Sequence, residues 1–88
     1  MKTTAIDYIL RAIETAADAR NYPIEEIADY CAVCQILTNF DHDGTLPTPE
    51  QKMFIAETLE TMCKCFGIDY GALLHRAICV AIAAEENT

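Results

Sequence analysis

From Tyr70 to Ala84 the chain runs almost without polarity, interrupted only by His75 and Arg76. A helix made of such a stretch has no hydrophilic face to offer solvent, so neighbouring elements must cover most of its circumference. At about 15 residues, and with two basic side chains inside it, the stretch falls short of the roughly 20 apolar residues that hydrocarbon about 30 Å thick demands. It is therefore expected to be a buried helix over about 69–85, and the rest of the chain should be what covers it.

The three segments before it carry helical periodicity. Ile6, Ile9, Leu10, Ile13, Ala16 and Ala17 recur at spacings of three and four, opposite Asp7, Arg11, Glu14 and Asp18, which predicts a helix over about 3–20. Asn21-Tyr22-Pro23 breaks that pattern, and Pro23 suits the first turn of a second helix over about 23–38. Ile24, Ile27, Cys31 and Cys34 form one stripe of that helix, with Tyr30, Val33 and Leu37 beside it. Its distal half is thus expected deep in the core. Thr48-Pro49-Glu50-Gln51 reads as an N-cap, a proline at the first helical position and a capping-box glutamine. The helix it opens, over about 48–66, buries Ile55, Leu59, Met62, Cys63 and Phe66 and stops at Gly67. Asp69 can cap the last helix.

The expected fold is all-α, a compact bundle of about four helices in one domain spanning 1–88. With 52% hydrophobic residues and only three Gly and three Pro, the composition excludes disorder and fibrous repeats. Three helices are few to cover the fourth, which leads to the expectation of a homodimer through helix 4.

The net charge of −8 disfavours phosphate backbones and anionic lipid and favours basic partners. Most of that charge lies between residues 21 and 50, where Glu25, Glu26, Asp29, Asp41, Asp43 and Glu50 occur without a single Lys or Arg. These six carboxylates are the candidate interaction surface. The first apolar run is broken by Asp7 and Arg11, unlike the core of a signal peptide, and a cytoplasmic location is expected. Five cysteines, an odd number without a secretion signal, are expected to be reduced and packed as small hydrophobes.

Residues 39–47 read as the one long loop. Placing Gly44 sixth in a twelve-residue calcium loop sets Asn39, Asp41 and Asp43 at places one, three and five and Glu50 at twelve. That spacing resembles an EF-hand and implies oxygens converging on a hard cation. Asn at the first place, and Pro47 and Pro49 before Glu50, depart from the pattern. The simpler reading is an Asx- and Gly-rich turn before a capped helix. Phe40-Asp41-His42-Asp43-Gly44-Thr45-Leu46 also looks like the first motif of haloacid-dehalogenase-type phosphotransferases, which implies Asp41 as nucleophile and Asp43 as general acid/base. That family carries the motif at the end of a parallel strand, and no strand is expected here. Met62 to Leu73 resembles a helix-turn-helix, but its second helix would offer a groove only His75 and Arg76.

Cys31, Cys34, Cys63 and Cys65 could form a zinc set, and His75 and Cys79 stand one helical turn apart. Cys63 and Cys65, however, point about 200° apart round a helix, so four ligands do not converge. A Cys-His nucleophile would need an electropositive setting that an acidic chain does not provide. The expectation is a non-enzymatic interaction protein without cofactor or metal that binds a basic protein surface, for instance as an inhibitor of nucleic-acid-acting machinery, with no direct nucleic-acid or membrane contact. A calcium-binding helix-loop-helix and a small DNA-binding regulator are the alternatives.

Overall fold

A computed structural model of the chain describes residues 4–86. Thr3, the expected start of the first helix, lies outside the described residues. Four helices follow one another without a strand among the described residues: α1 (Thr4–Ala19), α2 (Ala28–Asp43), α3 (Pro49–Cys65) and α4 (Tyr70–Glu86). A single 3₁₀ turn, Ile24–Glu26, precedes α2. The all-α bundle read from periodicity is the observed architecture.

The first three helices end where local chemistry stops them. Asn21 takes a left-handed φ of 54° after α1. The Tyr22 and Asn21 N–H groups then donate to the carbonyls of Ala17 at 2.9 Å and Asp18 at 3.1 Å. This paired closure satisfies the orphan carbonyls of the last turn, and Asn tolerates the left-handed region better than most side chains. The same closure ends α3. Gly67 sits at φ 70°, Ile68 N–H donates to Cys63 O at 2.8 Å, and Gly67 N–H donates to Lys64 O at 3.2 Å. Arg20 ties these two ends together. Its guanidinium donates to the Ala16 and Phe66 carbonyls at 2.9 and 3.1 Å and lies 5.5 Å from the Phe66 ring centroid. Tyr22 meets the same ring edge-on at 5.2 Å.

The start of α3 is the capping box read from its residues. Gln51 N–H donates to Thr48 Oγ1 at 3.1 Å, and Thr48 N–H donates to Gln51 Oε1 at 2.8 Å. Replacing Thr48 by Ala removes one half of this exchange. It should cost about 1 kcal/mol, read as a lowered urea midpoint with an unchanged slope, whereas Thr48→Ser should lie close to the parent. Asp69 likewise caps α4 by accepting from Ala72 N–H at 3.2 Å.

The second helix departs from expectation at both ends. Pro23 precedes the 3₁₀ turn, and Ile27, extended at ψ 114°, separates that turn from α2. The helix then continues five residues past Thr38, through Asn39-Phe40-Asp41-His42-Asp43. It stops at Gly44, whose φ of 71° lets its N–H donate back to Phe40 O at 2.8 Å. The long loop shrinks to residues 44–48. Nor is the distal half of α2 deep in the core: Tyr30 and Val33 are buried, Cys34, Ile36 and Leu37 are half-buried, and Cys31 is exposed. The fully buried residues of the helix are Tyr30 and Val33, with Cys34, Ile36 and Leu37 packed partly against the core.

One core joins all four helices through Ile9, Ile13 and Ala17 of α1, Tyr30 and Val33 of α2, Ile55, Leu59 and Met62 of α3, and Leu73 and Ala77 of α4. The most extensive packing is α1 on α4, followed by α2 on α3. Between α3 and α4 the chain turns through 118°, within the range of helix-turn-helix geometry. Tyr30 Oη donates to Glu14 Oε2 and links α2 to α1 across the core edge. Burial is the largest cause that pushes the Tyr30 pKa far above its ordinary value, and the Glu14 hydrogen bond adds to it.

Candidate functional site

The helices do not close over one another completely. An open groove of about 890 Å³ runs between them. Ala5, Ile6 and Ile9 come from α1, Leu37 and Phe40 from the distal end of α2, Ile55, Ala56 and Leu59 from α3, and Tyr70, Leu74, Ala81 and Ala84 from α4. Leu46 and Pro47 form its lip, and Lys52 and Glu85 are the charged side chains that line it. The extension of α2 builds this wall, because it carries Phe40 forward as a helical residue rather than a loop residue.

The acidic residues divide into two groups. Asp29 lies in the first turn of α2 and Asp41 near its end, which a rise of about 1.5 Å per residue separates by about 18 Å. Glu25 and Glu26 stand on the 3₁₀ turn beside Asp29. A smaller depression of about 290 Å³ lies there, lined by Asp29, Glu57, Phe54 and Met62 among others. Asp41 and Asp43 follow the groove residue Phe40 in sequence, and Glu50 stands between Pro47 and Lys52. These three carboxylates are neighbours in the chain of groove residues, but none of them lines the groove itself. All six acids are exposed, but they make two patches rather than one face. Sequence reasoning finds the carboxylates but not the groove, because periodicity marks which face of a helix is apolar and not the space left between helices.

The calcium-loop spacing is not realised. Asn39, Asp41 and Asp43 belong to α2, where residues two apart point about 200° from one another. Asn39 Oδ1 instead accepts from Gln35 Nε2 at 2.9 Å, one turn earlier. No group of three or more His, Cys, Asp or Glu side chains gathers to hold a metal ion among the described residues. The phosphotransferase-like motif is likewise helical through Asp43, with no strand to carry it.

The cysteines also differ from expectation. All five are free thiols, but Cys31, Cys65 and Cys79 are exposed, Cys34 is half-buried and only Cys63 is buried. Cys31 Sγ donates to Glu25 O at 3.0 Å. Burial is the main cause that raises the pKa of both Cys34 and Cys63 above the ordinary thiol value.

On α4 the side chains of Leu73 and Ala77 are buried, while Leu74, Ile78, Val80 and Ile82 are 37%, 47%, 38% and 52% exposed. The helix that ought to be covered on most sides is covered on one. No single helix among the described residues is long and apolar enough to cross a membrane. His75 and Cys79 lie on the uncovered side, with Cys79 Sγ 3.7 Å from His75 Nε2.

Comparison with family models, curated proteins and solved structures returns no match. The reading of this site rests on its own geometry.

Proposed function

We propose that the protein is a non-enzymatic interaction module whose large groove receives a basic amphipathic helix from a protein partner. The observation that carries this reading is the groove itself, an apolar floor of helix-borne side chains; the exposed Asp41, Asp43 and Glu50 lie close in the chain to its residues Phe40, Pro47 and Lys52. Helix-in-groove recognition uses an apolar stripe for affinity and the charged flank for orientation. Basic residues beside such a stripe are common on nucleic-acid-binding helices, so a partner of that kind suits the site. The outward face of α4 serves a second association, with another copy of this chain.

A leucine–lysine amphipathic helical peptide is the direct probe. It should bind at low ionic strength, and reversal of Asp41, Asp43 and Glu50 to Lys should weaken it at least tenfold, the difference shrinking at 1 M salt as screening takes over. Leu46→Asp should weaken binding at both salt concentrations. Reversal of Glu25, Glu26 and Asp29 should matter less. Peptide binding indifferent to the first triple reversal would remove this reading, as would a preference for the Glu25 patch.

A further inference from the structure

We infer that the outward face of α4 is a zinc-bridged contact between two copies of this chain, each supplying His75 and Cys79 to one tetrahedral ion. The inference rests on the proposed self-association through α4 and adds the ligand that completes it. Two ligands bound to zinc at about 2.3 Å for sulfur and about 2.1 Å for nitrogen, at a tetrahedral angle, stand about 3.6 Å apart. The 3.7 Å between Cys79 Sγ and His75 Nε2 is already that spacing. One chain therefore presents two adjacent corners of a tetrahedron and no more, since no third ligand gathers near them among the described residues. A structural zinc site needs four.

The position of the pair says where the other two come from. Round the helix, His75 and Cys79 lie about 160° and about 200° from the buried Ala77, at the centre of the face that nothing covers. Their neighbours on that face are Gly71, Ala72 and Ala83, small enough for two helices to approach closely, and Ile82, exposed by 52%. An antiparallel twofold at the level of Ala77 sets Ile82 of each copy against the Ala72 end of the other. It also keeps the two Glu86 side chains at opposite ends. The chain carries −8 overall, but no carboxylate occurs between Tyr70 and Ala84, so the middle of this face adds no acid-on-acid contact, and the net negative field attracts a divalent cation. Two thiolates and two neutral imidazoles balance the ion's charge, with the thiol protons released to solvent on binding.

The test uses the full chain, reduced with a phosphine and stripped of metal, then titrated with zinc and with cobalt(II). Zinc should bind at one ion per two chains and double the sedimenting mass from 9.8 kDa. Cobalt should give the intense visible bands and the thiolate charge-transfer absorption of a tetrahedral S₂N₂ site. Cys79→Ser and His75→Ala, both at exposed positions, should weaken zinc binding at least a hundredfold and abolish the metal-dependent dimer, while Cys31→Ser and Cys65→Ser should do neither. One zinc per monomer, a pale octahedral cobalt spectrum, or retention of binding in Cys79→Ser would overturn the inference. So would a dimer that dissolves on reduction alone. A dimer that forms without zinc and binds none overturns the bridge but leaves self-association through α4 standing. A chain that stays monomeric with and without the metal ends both.

Discussion

Leu73→Ala should lower the free energy of unfolding by about 3 kcal/mol, while Leu74→Ala, one residue further along the same helix, should cost less than about 1 kcal/mol. Leu73 is 1% exposed and packs into the core joining all four helices. Its truncation removes a buried isobutyl group and leaves a cavity in the core that all four helices share. Leu74 is 37% exposed at the edge of the groove, so truncation there changes little that folding had removed from water. A small domain has about 5–10 kcal/mol in total, so the first variant should lose a large fraction of its urea midpoint and the second almost none. The measurement belongs in EDTA at low protein concentration, where metal-linked association does not contribute. Equal losses at the two positions would show that α4 is covered on a side the structure leaves open.

Stability should fall steeply as the pH rises above about 9. Tyr30, Tyr70, Cys34 and Cys63 all have pKa values raised above their ordinary ones, in each case first by burial. A raised folded-state pKa means that the native chain keeps a proton that the unfolded chain releases. Stability from such a group is complete below the unfolded pKa and is lost as the pH climbs past it, at up to about 1.4 kcal/mol per pH unit for each proton of difference. The thiols begin this loss near their ordinary value of 9.0 and the tyrosines near 10.0. Urea midpoints between pH 7 and 11 should therefore hold level and then drop. Net negative charge also grows with pH as thiols, phenols and ammonium groups lose protons, but salt screens that repulsion, whereas the proton linkage survives in 1 M NaCl. Tyr30→Phe should start lower at pH 7 through the lost bond to Glu14 and then decline less steeply above pH 10. A midpoint unchanged up to pH 10.5 would contradict the burial of these groups.

The parts of this fold that a reader of the sequence could have drawn are those where a single residue type meets a single backbone demand. Thr48 with Gln51, Gly67 and Asp69 each perform the task their chemistry announces, because caps and left-handed stops are settled within one turn of chain. Helix 2 departs from its expected bounds for the opposite reason. Asn39, Asp41 and Asp43 are weak helix formers, and local propensity favours a loop, but Phe40 joins the groove wall as a helical residue only because α2 continues past Thr38. Tertiary packing overrides a few tenths of a kcal/mol per residue of propensity. The same glycine that could turn a calcium loop instead ends a helix, and the two uses look identical in the sequence. The groove was not legible, because it is a space between four helices whose crossing angles the residues alone do not give. The His75–Cys79 pair was visible as a spacing, but its place at the centre of an uncovered face depends on which side of α4 meets α1.

That pairing of α1 with α4 has a consequence for how the molecule opens. The first and last helices shield each other, and the middle two form the other principal contact. Loosening either outer helix uncovers its companion, so amide protons on both should exchange together as one cooperative unit, while α2 and α3 keep their own protection. An occupant held by α1 and α4 would then tighten two segments that lie at opposite ends of the described sequence and slow exchange in both at once.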